Sequence, residues 1–507
     1  MSGDVALGFA QASQFATLIA TAIGVLLGLI VGMIPGMTIS SGIIILLPMT
    51  FSLPPDLSIA MLLGLYVAGM TGGSFSAILL NIPGTPSASA TAIDGYPLTR
   101  QGAPGRALGI AIVASFVGGV MSFGCLYLIS PLLANLALDF QAVDLFSLVF
   151  FGLTVICSFA AKSLVKGLLS AAVGLMIVTV GQDPMLGTAR FTFDDPDLLS
   201  GIHFLTAMIG LFAIPQIVEN IVNPRPGIGM DKLRMRFRNV FPSLSDLKRI
   251  VVPVIIGGPI GSFLGVLPGA GGPIAAFISY DYARKASRKP EEFGNGAVEG
   301  IAAPESANNA VTGGALIPMM TLGIPGDPVT AILIGALLVH GLAPGPMLFI
   351  ERADFAYGLI FSFFWANIFN LIIALAGIGV LIKVLATPRA VLLPTIAALC
   401  VIGSYALRNS FFDIWVMLGF GVLGLAMRWL NVPVVPLLLA LVLGRPLEEH
   451  LRVTLTASQG DLTVFFTSPY SLFFLALAGL SVLWSLVIEP RREKAKQRRL
   501  AESTKSA

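Results

Sequence analysis

From Leu57 to Leu80 the chain carries no Asp, Glu, Lys or Arg. As an α-helix such a run crosses the hydrocarbon of a bilayer, which takes about 20 predominantly apolar residues. Comparable apolar runs recur at roughly 105–135, 142–160, 163–181, 203–222, 298–322, 354–383, 388–406, 411–430, 432–446 and 467–488. Only 11% of the 507 residues are charged and 56% are apolar, whereas a soluble domain carries about 25% charged residues. So few charges cannot clothe a water-facing surface. The expectation is an all-α integral membrane protein with about 11 transmembrane helices.

Two further apolar segments, 13–50 and 250–283, are each interrupted by a Pro-Gly break, "GLIVGMIPGMTISSG" and "SFLGVLPGAGGPIAAF". They read as two re-entrant or broken hairpins. The paired breaks belong to a longer repetition. "TGGSFSAILLNIPGTP" answers "TGGALIPMMTLGIPGDP", with Thr71-Gly72-Gly73 facing Thr312-Gly313-Gly314, "QGAPGRAL" answers "HGLAPGPML", and "VICSFA" answers "VIGSYA". Four matches in one order, separated by similar distances, indicate internal duplication. The division is a first membrane repeat at 1–225 with broken segment 81–97, a basic linker at 226–249, a second repeat at 250–490 with broken segment 323–346, and a basic tail at 491–507.

Charge gives the repeats a direction. The linker, the loop "RKASRKPEEFGNG" and the tail are rich in Lys and Arg and are expected on the cytoplasmic side. The N-terminus "MSGDVALGFAQASQ" and the loop "FSLPPDL" lack both. The first hairpin then enters from outside and the second from inside, which makes the repeats inverted in topology, with the N-terminus outside and the C-terminus inside. The start lacks the basic residues of a signal peptide, so the first apolar segment is expected to stay.

Irregular backbone at membrane depth persists only when buried in protein or lining a wet cavity. Pro83, Pro86, Pro325 and Pro328 forbid simple continuation of the preceding spans. Helices restarting after such breaks offer N–H groups and a positive dipole end to an anion. Asn81, Thr85, Ser87 and Ser89, with Thr91 beyond, add neutral polar groups, and Gly84 and Gly326 let a ligand approach the backbone. Paired broken elements in inverted repeats mark the central site of a transporter. The stretch "EGIAAPESANNAVTGG" adds Glu305, Asn308, Asn309 and Thr312 within a span. A carboxylate there is costly unless paired or facing a cavity. Its oxygens suit Na⁺, or it carries a proton. Asp327 stands where the first break has Thr85, so one half offers a hydroxyl and the other a carboxylate.

The motifs "IPGTPSASATAIDGYPLTRQG", "LPGAGGPIAAFISYDYARKASRKPEEFGNGAVEGIAAPESANNAVTGGALIPMMTLGIPG" and "VLGRPLEEHLR" resemble the large membrane subunit of the tripartite tricarboxylate transporters, TctA, over nearly the whole chain. In the first hairpin "IPGMTISSG" departs from the glycine-rich pattern expected there. The resemblance implies a secondary, cation-coupled importer of organic carboxylates in a bacterial inner membrane, working with a periplasmic solute-binding protein and a small four-helix membrane subunit. Carried onto this sequence, it points to Asn81, Thr85, Ser87, Ser89, Asp94, Gly269, Gly271, Glu305, Asn308, Asn309, Thr312 and Asp327. From that set, and with Gly84 and Gly326 of the breaks added, Asn81, Gly84, Thr85, Ser87, Ser89, Asn308, Asn309, Thr312 and Gly326 are assigned to the substrate. Glu305, Asp327, Gly269 and Gly271 are assigned to the cation, with Na⁺ ahead of H⁺.

Other classes fit less well. Three scattered histidines and three lone cysteines give no transition-metal or redox spacing. No ATP-binding loop, cofactor motif or nucleic-acid signature is present. Tyr280-Asp281 and Gly326-Asp327 faintly resemble an intramembrane aspartyl protease, but Pro325 breaks that pattern and Asp281 leads into a basic loop. A passive carboxylate channel would not need two broken hairpins entering from opposite faces.

Overall fold

A computed structural model of the chain describes residues 2–34, 37–159, 164–222, 240–268, 271–384 and 389–483. The sequence expectations for Gly269, for most of the linker and for the tail lie outside these residues. The first stretch of helices is α1 (Ser2–Ala12), α2 (Phe15–Met33), α3 (Ile39–Thr50), α4 (Pro55–Leu80), α5 (Ala88–Arg100), α6 (Pro104–Ala137), α7 (Ala142–Phe159) and α8 (Leu164–Val178). A two-stranded antiparallel ribbon follows, β1 (Gly181–Gln182) and β2 (Ala189–Arg190), then α9 (Pro196–Leu199) and α10 (Phe204–Val222). The second stretch runs α11 (Leu244–Val266), α12 (Gly271–Ala286), α13 (Val298–Leu322), α14 (Pro328–Val339), α15 (Leu348–Glu351), α16 (Ala353–Val384), α17 (Arg389–Ala406), α18 (Phe411–Trp429), α19 (Val435–Ala457), α20 (Val464–Thr467) and α21 (Pro469–Leu483).

The all-α membrane class is thus realised. Among the described residues, six helices are long and apolar enough to cross a bilayer: α2, α4, α6, α11, most of α16, and α18; several shorter helices are also apolar. The most deeply buried helix beside α4 is α13, buried from Val298 to Thr321. Its carboxylates and asparagines make it polar for a span, and its surroundings are protein.

The chain forms two compact units, each built from two separate stretches of the sequence. The first comprises Met1–Leu138 and Leu205–Gly424, the second Asp139–Phe204 and Leu425–Ala507. In the first, α2 packs along α4, α11 along α13, α13 along α6, and α1 along α16. In the second, α8 and α7 pack on α19, and α7 on α21.

Glycines set the closest of these contacts, and they repeat. A Cβ at Gly24, Gly28 or Gly32 of α2 would overlap the carbonyl oxygens of Met61, Leu65 or Gly69 of α4. A Cβ at Gly257, Gly261 or Gly265 of α11 would overlap those of Ala303, Ala307 or Val311 of α13. Small residues every fourth position let two helix backbones meet, the device membrane helices use for close packing. The α2 glycines stand 233 residues before their α11 counterparts, and their α4 partners 242 residues before those on α13. The duplicated packing therefore matches Gly72 with Gly314. The sequence alignment of the two Thr-Gly-Gly motifs is one residue out of this register, because apparent identity at Thr71 and Thr312 outweighs the contacts when only letters are compared.

Two other sequence expectations change, and one helix is added that the sequence reading did not address. The irregular part of the first break is shorter than 81–97: helix resumes at Ala88 and passes through Pro97. The run at 432–446 belongs to a longer helix, α19, that continues through Pro446 to Ala457. The N-terminal polar stretch is helical and rests on α16, where Gly8 lies against Tyr357.

Candidate functional site

Both broken segments begin with the same cap. α4 ends at Asn81 with φ 55°, α13 at Gly323 with φ 67°. In each case the next N–H reaches back six residues, Ile82 to the Ser76 carbonyl (3.4 Å) and Ile324 to the Pro318 carbonyl (3.2 Å). This left-handed stop satisfies carbonyls that a broken helix would otherwise strand, and glycine or asparagine adopts it at least cost. Asn81 is exposed, and its conformation accounts for its residue type.

After the cap the chain folds back on the helix it has left. Gly84 N–H donates to the Gly73 carbonyl at 3.1 Å. Gly84 fits between Gly32, Gly73 and Ser76, and Gly326 between Gly265 and Ala315. The Ile-Pro-Gly segments therefore dock into the glycine-lined ends of the α2–α4 and α11–α13 pairs. Thr85 is buried against Gly73, and its Oγ1 accepts from Ala88 N–H at 3.4 Å. The equivalent Asp327 caps α14, with its Oδ1 accepting from Thr330 N–H at 2.8 Å and its Oδ2 from Tyr66 Oη at 2.5 Å. The same position performs the same capping in both repeats, by hydroxyl in one and carboxylate in the other.

The restarted helices offer fewer free donors than the sequence led us to expect. The N–H groups of Ala88, Ser89 and Ala90 return to the carbonyls of Thr85, Pro86 and Ser87 at 3.1, 3.3 and 3.2 Å. A tight turn precedes α5 and consumes them. At α14 the carboxylate of Asp327 occupies the corresponding place.

The polar residues of α13 divide. Glu305 is fully buried and accepts hydrogen bonds from the hydroxyls of Ser74 on α4, Thr91 on α5 and Ser115 on α6. Among the described residues it has no basic partner. Asn309 is saturated: its Oδ1 accepts from Thr71 at 3.0 Å, and its amide donates to Ser115 Oγ at 2.8 Å and the Glu305 carbonyl at 3.1 Å. Asn370 of α16 extends the chain by donating to Thr71 Oγ1 at 2.8 Å. Thr312 turns inward and donates to the Asn309 carbonyl at 2.5 Å. Asn308 differs. Its amide makes one long bond to the Met70 carbonyl, 3.4 Å, and its Oδ1 is buried without a partner among the described residues.

That unpartnered oxygen lies where two helix starts meet. A Cβ on Gly272, in the first turn of α12, would stand 2.8 Å from Ser87 Oγ and 3.0 Å from Asn308 Oδ1. Gly271 beside it has φ 61°. The first break, the tip of the second hairpin and the middle of α13 therefore converge around Ser87, Gly272 and Asn308, so closely that a Cβ on Gly272 would crowd the Ser87 hydroxyl. A buried amide oxygen without a donor costs about 1–3 kcal/mol, which singles out Asn308 Oδ1 as the open acceptor on α13.

Asp94 has a separate task. One carboxylate oxygen accepts from the N–H groups of Gly294, Gly296 and Ala297 at 2.8, 2.9 and 2.9 Å, the other from Tyr280 Oη at 2.9 Å. It clamps α5 onto the start of α13, where an anion also suits the helix dipole. Four donors leave it no vacant role in a ligand site.

Of the residues singled out from sequence, Ser87 and Asn308 both border Gly272, the neighbour of Gly271 in the chain. Glu305 and Asn309 share a second polar cluster with Thr91. Thr85, Gly84, Gly326 and Asp327 shape the breaks. Ser89 is half-buried and Asn81 faces outward. Tyr66, Ser74, Ser115, Gly272 and Asn370 escaped notice, because single hydroxyls, amides and glycines inside apolar helices carry no local signal. Tyr66 alone could have been found: in the duplicated register it matches Asn308.

These features define a polytopic membrane protein with duplicated broken elements and a polar interior on helices otherwise sealed in protein. Residues 18–439 match the family described as "Tripartite tricarboxylate transporter TctA family", and the chain belongs to it. It is 40% identical over 455 residues, 89% of this chain and 90% of the other, to the "Uncharacterized 52.8 kDa protein in TAR-I ttuC' 3'region" of Agrobacterium vitis. It is 41% identical over 234 residues to the "Uncharacterized protein in TAR-II ttuC' 3'region" of the same organism, 46% of this chain and 97% of that one. No solved structure matches.

Proposed function

We propose that the chain is the membrane subunit that moves an organic carboxylate inward by secondary, cation-coupled alternating access, receiving it from a periplasmic solute-binding protein and assembled with a small membrane subunit in a bacterial inner membrane. The observation that carries this reading is the convergence of Ser87, Gly272 and Asn308, drawn from two interrupted elements and one helix buried along its length. Neutral donors suit a carboxylate at a membrane centre, where a fixed cation would hold it too tightly to release. The Asn308 amide and the Ser87 hydroxyl supply them, and the Gly272 backbone allows close approach. Asn308 Oδ1 would in turn accept from the substrate or touch the coupling ion.

Glu305 is the better carrier for that ion, Na⁺ or H⁺. Three hydroxyls from three helices surround its carboxylate, and hydroxyls can donate to an anion or turn their lone pairs to a cation. Asp327 is already spent on capping. The test is uptake of labelled di- and tricarboxylates into proteoliposomes holding the complex, with the binding protein supplied and Na⁺ and pH gradients varied. Losing one charge-assisted hydrogen bond costs about 1.5–3 kcal/mol, so Ser87→Ala should raise the substrate concentration needed about ten- to a hundredfold. Glu305→Gln keeps the shape and should abolish the cation dependence. Loss of that dependence in Asp327→Asn instead would move the ion to the second break. Uptake indifferent to both gradients would leave a passive channel.

A further inference from the structure

The first turns of α11 and the last turn of α12 enclose a cavity of about 540 Å³. Lys248, Arg249, Arg288 and Lys289 line it against one lining carboxylate, Glu299. Two of the four bases are committed. Arg249 pairs with Glu299 at 2.9 Å and with Glu292 at 2.5 Å, and Lys289 with Glu292 at 2.7 Å. Lys248 and Arg288 are exposed and have no ion-pair partner among the described residues. The cavity thus presents two uncommitted positive charges over a neutralised floor.

What lies next to it names the ligand. Directly after Lys248 and Arg249, α11 exposes Val251, Val252 and Ile255, at 51, 54 and 57%. An anion-attracting cavity opening onto an apolar helix flank is shaped for a molecule with a negative head and a hydrocarbon body. The volume lies in the range of small-molecule pockets, roughly 300–1,000 Å³, and basic pockets between membrane helices are known to take phospholipid head groups.

We propose that this cavity binds the phosphodiester of an anionic phospholipid of the phosphatidylglycerol kind. Lys248 and Arg288 hold the phosphate, and the acyl chains follow Val251, Val252 and Ile255 down α11. The same helix, α12, that ends at this cavity begins at Gly271 and Gly272 beside Ser87 and Asn308. A lipid seated at its C-terminal end would anchor the element whose other end enters the candidate site.

The test reads lipid retention and not uptake, so its result stands apart from the transport reading. The full chain is purified in detergent and titrated with phosphatidylglycerol or phosphatidylcholine, and native mass spectrometry counts the lipids retained. The wild type should hold one phosphatidylglycerol in preference to phosphatidylcholine. Lys248→Gln with Arg288→Gln should weaken that lipid about 20- to 30-fold, at about 1 kcal/mol per basic residue. The control Arg284→Gln with Lys285→Gln removes the same charge from the same helix end, outside the cavity lining, and should leave it bound. Equal loss in both variants would reduce the effect to general surface charge and overturn the site. Unchanged retention in the cavity variant would overturn it as well, including the case where another segment of the chain fills the cavity. Inorganic phosphate is titrated calorimetrically in parallel. Saturable phosphate binding that the cavity variant loses, without any difference in retained lipid, would assign the cavity to a soluble phosphate ligand and reject the lipid.

Discussion

Asn308 and Asn309 are neighbours on one helix, both fully buried, and their side chains end in opposite conditions. Asn309 joins three hydrogen bonds across α4, α6 and its own helix, while Asn308 keeps an oxygen without a donor beside Gly272 and Ser87. The sequence marks both as expensive in a membrane, but only the packing of α12 and α5 separates the one that ties helices together from the one left with an open acceptor. Asn81 gives the reverse lesson. Its position in a polar motif suggests a ligand contact, yet its φ of 55° and its twin Gly323 explain it as a helix stop. Asn81→Gly should therefore keep both the thermal stability and the substrate dependence of uptake. Asn81→Val forces a β-branched residue into the left-handed region and should cost roughly 1–2 kcal/mol, read as a lower Tm in detergent. A large change in apparent substrate affinity with Asn81→Gly would return this residue to the binding site.

At the scale of elements, apolar runs and Pro-Gly breaks make the helices and their interruptions legible, because bilayer thickness and the chemistry of proline act locally along the chain. The pairing of helices is less legible. It rests on glycines at every fourth position, and in a chain with 55 glycines those that touch a partner's carbonyl are indistinguishable by letter from the rest. The duplicated contacts yield a matched prediction. Gly28→Ala would drive a Cβ into the backbone of Leu65, and Gly261→Ala into that of Ala307. Overpacking of this kind costs about 1–3 kcal/mol, so the two variants should lower Tm by similar amounts, while Gly124→Ala, in open space, should not. A second element was invisible in the sequence, the ribbon β1–β2. Asp183 holds its turn by accepting from Met185 and Leu186 N–H at 2.8 and 2.9 Å, and Arg452 of α19 joins it at 2.7 Å. The Leu186 N–H first, then Arg452, pulls the Asp183 carboxyl down to about 2 from an ordinary 3.8. A depressed carboxylate stabilises the fold above its unfolded value and ceases to do so as pH falls through its folded one. Hydrogen exchange at Met185 and Leu186, compared with α19, should stay slow above pH 3.8 and lose its protection as pH approaches 2; equal protection at both ends of that window would show that the turn does not depend on the charge.

At the scale of the whole molecule the duplication and its direction are separate questions. The glycine contacts of α2 on α4 and α11 on α13 recur whether the two copies face the same way or opposite ways, since helix packing takes no account of which side of the bilayer a helix enters. Charge is the term that distinguishes them. The start of α11 and the end of α12 carry Lys248, Arg249, Arg284, Lys285, Arg288 and Lys289, while the chain before α2 carries no base. Translocating such a basic cluster is far costlier than leaving it in the cytoplasm. The equivalent helices α2 and α11 should then begin on opposite sides. With Cys125, Cys157 and Cys400 removed, a thiol at Ser2 should react with an impermeant reagent in intact cells, and one at Ser245, exposed in the first turn of α11, only after the membrane is opened. Labelling of both from the same side would refute inversion and leave a parallel duplication, in which the two breaks could not approach a common centre from opposite faces and alternating access would need another geometry.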